Sequence, residues 1–443
     1  MSSLTSALAR HIIGYRREEI DPRGIIVAKQ CILDWFGVTL AGYNEPVAKA
    51  VRGEVVQWSK GPCSIVGSQY QVGPDAAALV NGTTSHALDY DDVRVYVGHP
   101  TVAILPAVLA VAEERRSSGM EVIRALIAGA EAAAIVGGWT NPSHYARGFH
   151  TTATVCCFGA AAAAGLLLGL DESTMTMALG LAGTQAAGLK SMFGSMAKPF
   201  HAGKAASNGV LAARLAAAGM TAHADVFGTQ QGFILTQSEA KIPSSFKPES
   251  RRGSGVAATL FKYHAACYLT HSTIDAVGRI RESGIAASAI SSIEVHVPPT
   301  HLGVCNIPSP RTGLETKFSL RHTTAFAALG HDTASIATYA DENARKPDIV
   351  AVRERVTVHG DHKDGTGARV VVHHVSGRAE AEVDVGIPDP DLDRQESRLQ
   401  EKFSSLVSPA IGAAKTRALA DAIKRFDHQE DMTAVIAQAA IPS

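Results

Sequence analysis

One segment in the first half of the chain runs for twenty residues without a charge. It extends from Thr151 to Leu170 (TTATVCCFGAAAAAGLLLGL). This is long enough to cross a lipid bilayer, but Ala, Gly and Thr gain little from transfer into lipid, and no aromatic belt or Lys/Arg-rich flank accompanies it. Helices that are small and apolar on all sides usually lie inside large helical proteins. The segment therefore predicts a buried central helix rather than a membrane span.

The composition fits such a core and disfavours several classes of protein. The 443 residues are 46% hydrophobic and 19% charged, and the net charge is -1. A charged fraction below the ~25% usual for soluble domains argues against disorder and suggests surface buried between subunits. Near-neutrality disfavours nucleic acid as the main partner. Six cysteines without a C-x-x-C pair do not make a disulfide scaffold, and the N-terminal segment lacks a signal-peptide pattern, so we expect a cytoplasmic protein.

Before about position 265 the apolar residues recur at helical spacing, and many of the residues between them are small. Small residues let helices approach closely, so we predict an all-α domain over residues 1–267. The stretches with the clearest helical spacing are Ile26–Leu40, Ala76–Leu88, Thr101–Arg115, Glu121–Val136 and Gly203–Ala218.

After about position 268 the pattern changes to short β-branched runs separated by Gly- and Asp-rich turns. These runs, with two helical stretches among them, predict a smaller α+β domain over 268–391 with an antiparallel sheet. Residues 392–443 are predicted to be helical and to dock back on the first domain.

The predicted fold class is mostly α, a large helical-bundle domain plus an α+β lid. No repeat, G-x-G-x-x-G or P-loop motif supports a nucleotide-binding fold. The strand-like runs are Ser292–Val297, Val352–Val358, Ala368–His374 and Ala379–Val385.

A first polar cluster lies in the segment 81–100, NGTTSHALDYDDVRVYVGHP. Asp89 follows His86 by one helical turn, so the two side chains can share a face. The cluster suits acid–base work, and carboxylates beside imidazoles also suit a metal ion. A purely structural alternative is that the aspartates cap turns. The polar residues of this cluster are His86, Asp89, Asp91, Asp92 and His99.

A second cluster precedes the uncharged segment and contains Arg147 and His150. The N-terminus of a helix favours an anion through its N–H groups and dipole, so a carboxylate would suit this place. The alternative is an N-cap beside a surface arginine.

A third cluster, GSMAKPFHAGKAASN, repeats Lys198, His201 and Lys204 every third residue around Pro199. Pro199 can occupy the first turn of a helix, which would leave Lys198 at its entrance. Cations there could neutralise substrate carboxylates or a developing enediolate. A solvated charged turn is the structural alternative.

A fourth cluster, LFKYHAACYLTHSTID, contains Lys262 and Cys267 at the predicted domain boundary. Small-ligand sites commonly lie at such boundaries. Cys267 by itself is more typical of a small core residue than of a nucleophile, because the sequence does not identify a base that could activate it.

Taken in order, these motifs resemble the MmgE/PrpD family, which includes 2-methylcitrate dehydratase, cis-aconitate decarboxylase and iminodisuccinate epimerase. The resemblance covers nearly the whole chain. It implies a helical domain with a smaller α+β lid domain, a homodimer, and catalysis without metal or organic cofactor. The motifs that carry the resemblance are NGTTSHALDYDD with GHP, RGFHTTAT, MAKPFHAGKAASNG, FKYHAACYLTHSTIDA and KFSL.

The resemblance assigns active-site positions motif by motif. It implies that Asp89, His99, His150 and Lys198 are catalytic, and that Lys262 is the lysine at the domain junction. We also expect the substrate to contact Arg147, His201, Cys267, Arg321 and His322.

Two positions depart from the family pattern. Cys267 stands where cis-aconitate decarboxylases place a histidine. After KFS, where many members continue toward a tyrosine that contacts substrate, this chain reads Leu320-Arg321-His322. These departures disfavour cis-aconitate decarboxylase in particular, and two potentially cationic groups at Arg321 and His322 could hold an additional carboxylate.

The sequence therefore predicts a cofactor-independent lyase of the dehydratase type, acting on a small di- or tricarboxylate such as 2-methylcitrate. In this hypothesis the lysines, with Arg147, bind carboxylates. His150 abstracts a proton, and His99, oriented by Asp89, protonates the leaving group. An epimerase of an imino- or amino-dicarboxylate such as iminodisuccinate, using two bases, is the alternative. A non-catalytic polycarboxylate-binding protein is a lesser alternative.

Overall fold

Helices dominate the part of the chain that the computed structural model describes, which is residues 3–246, 248, 252–363 and 365–442. The α-helices in these residues, in chain order, are α1 (Leu4–Gly14), α2 (Pro22–Gly42), α3 (Pro46–Trp58), α4 (Pro74–Ser85), α5 (Pro100–Arg115), α6 (Gly119–Thr140), α7 (Ser143–Ala146), α8 (Thr151–Leu167), α9 (Glu172–Gly183), α10 (Ala197–Ala217), α11 (Phe233–Gln237), α12 (His271–Glu282), α13 (Pro299–Leu302), α14 (Gly313–Thr316), α15 (Leu320–Leu329), α16 (Pro347–Arg353), α17 (Leu392–Ile411), α18 (Ala413–Lys424) and α19 (Thr433–Gln438). The strands are β1 (Cys63–Ser64), β2 (Gln71–Val72), β3 (Ile290–His296), β4 (Val356–His359), β5 (Ala368–His374) and β6 (Gly377–Val383). Short 3-10 helices lie at Lys190–Met192, Val256–Ala258, Tyr268–Thr270, Ala287–Ala289, Ile336–Tyr339, Asp341–Ala344 and Phe426–His428.

The described residues divide into two units. Unit 1 lies within Met1–Met192, Met196–Thr259 and Pro390–Ser443, and unit 2 within Phe193–Ser195 and Leu260–Asp389. Unit 1 holds α1–α11 and α17–α19, whereas unit 2 holds α12–α16 and the sheet β3–β6. The predicted fold class, mostly α with a smaller α+β part, is confirmed.

Helix α8, the uncharged segment, is the centre of unit 1. It packs against α5, α6, α9 and α10, and all its residues except the last are buried. Glycines let the neighbouring helices approach it closely. A methyl group added at Gly129 of α6 would lie 2.7 Å from the carbonyl oxygen of Gly159 in α8. A methyl group at Gly82 of α4 would likewise lie 2.8 Å from Cα of Gly203 in α10. Since real Cβ atoms do not come so close, these crossings require glycine.

Helices α2 and α6 are long and apolar enough to cross a membrane by length and composition alone. Of the most apolar window of each, 78% in α2 and 72% in α6 is buried inside the protein. Core helices of large helical proteins have the same properties.

Helix α17 packs along α2 and so joins the C-terminal region to the first helices of unit 1. Gln395 donates to the side-chain oxygen of Gln30 at 2.7 Å. Nζ of Lys402 lies 2.6 Å from Oδ1 of Asp34 and 2.6 Å from the carbonyl oxygen of Tyr90, with all three groups buried. A buried ion pair contributes less than its short distance suggests, because both charges have left water. Removal of one partner, however, leaves the other charge in the core.

Replacing Lys402 by Met should therefore destabilise unit 1 by about 3–5 kcal/mol, because the carboxylate of Asp34 loses its buried cation. The measurement is the free energy of unfolding from urea transitions. Lys415→Met, at an exposed position of α18, is the matched control. The double variant Asp34→Leu/Lys402→Met should regain much of the loss. A loss below about 1 kcal/mol would be typical of an exposed pair and would contradict this account.

The sheet of unit 2 has the strand order β4-β3-β5-β6. β5 pairs antiparallel with both β3 and β6, and helix α12 packs on β5 and β6. β4, however, pairs parallel with β3, so the expectation of a purely antiparallel sheet is wrong. The connection from β3 to β4 runs through α13–α16, and a crossover of this length can return the chain in the same direction. The predicted strand Val352–Val358 is also only half correct, since Pro347 begins a helix that continues to Arg353.

Candidate active site

Three helices of unit 1, α5, α8 and α10, contact one another and have neighbouring N-termini. His99 is the N-cap residue of α5, His150 is the N-cap residue of α8, and Lys198 is the second residue of α10. The backbone N–H of His99 donates to Oγ1 of Thr152 at 3.0 Å, which joins the start of α5 to the first turn of α8. Among the described residues, no side chain caps the N-terminus of any of the three helices. Since each N-terminus is the positive end of a helix dipole, their meeting point favours an anion.

Asp89 supplies the carboxylate at this meeting point. It follows the end of α4 and has φ 53°, a left-handed conformation that Asp tolerates better than most residues. Oδ1 of Asp89 lies 2.7 Å from Nζ of Lys198 and 3.6 Å from Nε2 of His99. All three side chains are buried. The ammonium of Lys198 and the outer nitrogen of His99 therefore face the same carboxylate oxygen.

Asp91 lies between two imidazoles. Its Oδ1 is 2.8 Å from Nδ1 of His86, and its Oδ2 is 2.8 Å from Nδ1 of His99. The hydrogen bond of His99 Nδ1 goes to the backbone carbonyl of Asp92 at 3.0 Å. Oδ2 of Asp91 is a charged neighbour of the same N–H group. Burial acts to raise the pKa of Asp91, but the two imidazoles outweigh it and hold the pKa well below its usual value. Burial lowers the pKa of His86 to about 4 in spite of the carboxylate. At neutral pH Asp91 is therefore ionised and His86 is uncharged.

His150 and His201 form a second pair of imidazoles, with 3.0 Å between their Nδ1 atoms. Burial, and then the charge of Lys198, lowers the pKa of His150 well below 6.5. Burial lowers the pKa of His201 to about 4. Both rings are therefore neutral at pH 7. The ring centroid of His150 lies 6.2 Å from that of His86, so the two pairs belong to one cluster.

Asp92, next to Asp91, has a different state. Burial raises its pKa to about 8, and Thr101 donates to its Oδ2 at 2.6 Å. Its side chain is therefore a neutral acid at pH 7 that is hydrogen-bonded to α5. The sequence placed His86 and Asp91 in the first cluster but gave neither a role. Their contact could not be recognised there, because it depends on the turn that Asp89 makes.

A metal ion is the other chemistry that this cluster could support. Donor atoms of His86, Asp89, Asp91 and His99 lie within 4.8 Å of one another, and imidazole with carboxylate suits several divalent metals. The donors are engaged with one another, however, and Nζ of Lys198 lies 2.7 Å from the Asp89 oxygen that a metal would use. A dication would have to displace that ammonium. The arrangement fits a proton-transfer network better than a metal centre.

Arg147, the other predicted residue in unit 1, is exposed, and Nη1 donates to the carbonyl oxygen of Ser238 at 3.1 Å. The structure thus brings together Asp89, His99, His150, Lys198 and His201. It places Arg147 on the surface, bonded to a neighbouring loop.

The remaining predicted residues lie in unit 2. Lys262 is fully buried, and Cys267 is buried with its N–H donating to the carbonyl of Lys317 at 3.0 Å. Arg321 donates to the side chain of Asn306. His322 is fully buried and bonds to the carbonyl of Asn343 at 3.3 Å, and burial lowers its pKa to about 4. The expectation that His322 offers a positive charge to a carboxylate finds no support in these surroundings, because the ring is neutral and internal.

The neutral state of His322 predicts a pH dependence of stability. The ring binds a proton at about pH 6.5 when unfolded and at about pH 4 when folded, so its contribution is complete above pH 6.5 and is lost as the pH falls toward 4. His322→Gln keeps a hydrogen-bond donor for Asn343 but cannot take up a proton. The free energy of unfolding of this variant should therefore fall by up to about 3 kcal/mol less than that of the wild type as the pH is lowered. Urea transitions of both proteins between pH 4 and 7 measure it. Parallel curves for the two proteins would contradict the assignment.

The imidazoles, carboxylates and lysine of this internal cluster can transfer protons, and the three helix N-termini beside them can bind an anion. Two family models identify the group. The MmgE/PrpD N-terminal domain matches residues 6–244, and the MmgE/PrpD C-terminal domain matches residues 264–428. The chain belongs to the MmgE/PrpD family, and it is an enzyme of that type.

Curated relatives agree with this assignment. The chain is 26% identical over 470 residues to a cis-aconitate decarboxylase of Aspergillus terreus, covering 98% of this chain and 95% of that protein. It is 26% identical over 372 residues to the human cis-aconitate decarboxylase, covering 80% of this chain and 76% of that protein. A cis-aconitate decarboxylase-like protein of Aspergillus oryzae is also 26% identical over 471 residues, covering 98% and 97% of the two chains.

Proposed function

We propose that this enzyme is a cofactor-independent lyase of the dehydratase type, which removes water from a small hydroxy di- or tricarboxylate such as 2-methylcitrate. The observation that carries the proposal is the pair of differently supported imidazoles beside Lys198. One, His150, is held neutral among positive neighbours, and the other, His99, has an ionised carboxylate at its inner nitrogen. An imidazole without a carboxylate partner suits a base, and an imidazole beside a carboxylate suits an acid.

In this proposal the substrate binds where the positive N-termini of α5, α8 and α10 meet. A substrate carboxylate there would face three helix N-termini and the ammonium of Lys198. Lys198 already has a partner in Asp89, so the substrate would share that ammonium rather than meet an isolated charge. The pairing fixes the position of the lysine before the substrate arrives.

The base in this proposal is His150. Its neutral ring can accept the proton from the carbon next to the carboxylate, and His201 supports its inner nitrogen at 3.0 Å. For the outer nitrogen to act as base, the inner one must donate to His201. The electrons of the broken C–H bond pass into the carboxylate as an enediolate, whose charge Lys198 stabilises. One such donor is typically worth about 2.7–4 kcal/mol of the barrier.

The acid in this proposal is His99. Protonated at Nε2, it gives that proton to the hydroxyl on the neighbouring carbon, the C–O bond breaks, and water leaves as the C=C bond forms. Asp91 stabilises the positive ring before the transfer, and Asp89, 3.6 Å from Nε2, orients the reacting side. His150 then releases its proton to solvent and His99 takes up a proton at Nε2, which restores the starting state.

One feature favours elimination over decarboxylation, the reaction in the names of the relatives. The sequence has Cys267 where the resemblance places a histidine in decarboxylases. Identity of 26% supports the family of lyases that act on carboxylates, but it does not identify the substrate.

The same two imidazoles keep an epimerase of an imino- or amino-dicarboxylate as the second candidate. An epimerase needs one base on each side of a single carbon, and His99 and His150 could serve as that pair. We further propose, from the family resemblance, that the enzyme acts as a homodimer.

The test of the function is incubation of the enzyme in deuterated water with 2-methylcitrate, citrate, cis-aconitate and iminodisuccinate, with and without a chelator. We expect a product lighter by one water that absorbs in the ultraviolet, formed equally under chelation. Product mass and deuterium content are the readouts.

The other outcomes separate the alternatives. Deuterium at the substrate carbon without water loss would identify an epimerase, and loss of carbon dioxide a decarboxylase. Activity that chelation removes and a divalent metal restores would contradict the cofactor-independent mechanism. Binding of polycarboxylates without any change over prolonged incubation would identify a binding protein.

His99→Gln and Lys198→Met should each lower kcat by about 10²–10⁴-fold, because each removes a group that acts on the reacting atoms. Lys415→Met, which deletes the same charge at an exposed position of α18, is the control and should remain close to wild type. Circular dichroism verifies the fold of all three variants. Turnover near the wild-type rate in either His99→Gln or Lys198→Met would refute the assignment of that residue.

A further inference from the structure

Asp91 and His86 transfer no proton in the proposed reaction. Both are buried, with Asp91 and His86 each only 1% exposed. Asp91 lies on the inner side of His99, since it faces Nδ1 while Asp89 faces Nε2. His86 contacts the other oxygen of Asp91. The two residues are therefore placed to act through His99.

We propose that Asp91, held in place by His86, is the positioning residue that fixes the ring orientation and the tautomer of His99. This inference rests on the acid role proposed for His99. It assigns to the two buried residues the task that the aspartate of a Ser-His-Asp triad performs for its histidine.

The acceptors around His99 determine which nitrogen carries the ring proton. Nδ1 has the backbone carbonyl of Asp92 at 3.0 Å and Oδ2 of Asp91 at 2.8 Å. A carbonyl oxygen and an ionised carboxylate can only accept, so Nδ1 must be the donor. Nε2 is then the nitrogen whose proton can come and go, and it is the one that faces Asp89 and Lys198. Without Asp91 the carbonyl of Asp92 alone would decide between the two tautomers.

His86 determines where the Asp91 carboxylate points. Its Nδ1 lies 2.8 Å from Oδ1 and must donate to it, by the same reasoning. Within the described residues, Nε2 of His86 is buried without a hydrogen-bond partner. Burying a ring nitrogen without a partner costs little free energy if the nitrogen carries only a lone pair, but much more if it carries a proton. The observation therefore fits a neutral ring that is protonated at Nδ1 alone. A neutral donor fixes the carboxylate and leaves its full negative charge for His99.

The positive charge of a protonated His99 needs this support. The ring begins helix α5, whose dipole disfavours a cation, and the ammonium of Lys198 shares Asp89 with it. Asp91 is the carboxylate nearest to the ring, at 2.8 Å against 3.6 Å for Asp89. Loss of its charge should therefore act on the chemical step more than on substrate binding.

The experiment compares Asp91→Asn with Glu113→Gln in the full-length enzyme. Glu113 is another buried carboxyl group on α5, hydrogen-bonded to Ser64 and not to an imidazole, so it controls for neutralising an internal acid. Asp91→Asn should lower kcat by about 10²–10⁴-fold while KM changes far less, and Glu113→Gln should leave both close to wild type. A fall in kcat equal to that of Glu113→Gln would overturn the inference.

Imidazole ¹⁵N spectra of histidine-labelled enzyme provide a readout that needs no substrate. The His99 signals are assigned by their loss in His99→Gln. At a pH where the His99 ring is neutral, the wild type should carry the single ring proton on Nδ1, and Asp91→Asn should shift it toward Nε2. An unchanged tautomer would overturn the inference even if the proposed reaction is correct. If the tautomer changes but the enzyme converts none of the carboxylates, the inference about Asp91 would be upheld and the proposed function would be wrong.

His86 supplies a second pair of variants in case Asp91→Asn does not fold. His86→Asn places an amide donor near the position of Nδ1, whereas His86→Leu has no donor. The inference expects His86→Leu to lower kcat and to disturb the His99 tautomer, and His86→Asn to restore both. Equal behaviour of the two variants would refute the role of His86.

Discussion

The arrangement of the helices in unit 1 depends on how closely they can approach α8. Gly159 meets Gly129 of α6 with no room for a side chain between them, and Gly82 and Gly203 do the same for α4 and α10. In the same unit α5, α8 and α10 contact one another, and their N-termini meet within reach of short side chains. His99, His150 and Lys198 lie at these helix ends, so helix packing sets their separation, whereas the position of Asp89 depends on the loop after α4.

The electrostatics of the site follow from that packing. Removing seven ionisable groups from water would be very costly if all were charged. Here the cluster keeps few charges, each beside a partner: Lys198 with Asp89, and Asp91 with two imidazoles. His150 and His201 remain neutral because burial and nearby positive charge lower their pKa values. The site thus stores an acid and a base in one small volume without an unpaired buried ion.

Much of this could be predicted from the sequence, because helix periodicity and proline positions are local signals. They located α5, α6, α8 and α10 to within a few residues, and the first-turn position of Pro199 in α10 was correct. The family motifs selected Asp89, His99, His150 and Lys198, which the structure brings into one cluster. Non-local features could not be predicted. The contact of His86 with Asp91 depends on the left-handed turn at Asp89, the parallel pairing of β3 and β4 depends on a long crossover, and the burial of His322 depends on the packing of α15.

The uncapped starts of α5, α8 and α10 have a consequence for the enzyme without ligand. Elsewhere in the chain Ser3, Ser118, Asp171 and Asp391 cap their helices with side-chain oxygens, an interaction typically worth about 1 kcal/mol. At α5, α8 and α10 the N-cap residues are His99, His150 and Met196, and no side-chain oxygen caps these helices, so that stabilisation is forgone. In the proposed binding mode a substrate carboxylate supplies oxygens to the same helix N-termini. The enzyme with substrate bound should therefore be more rigid and more heat-resistant than the free enzyme, and each turnover would remove these oxygens until the next substrate replaces them.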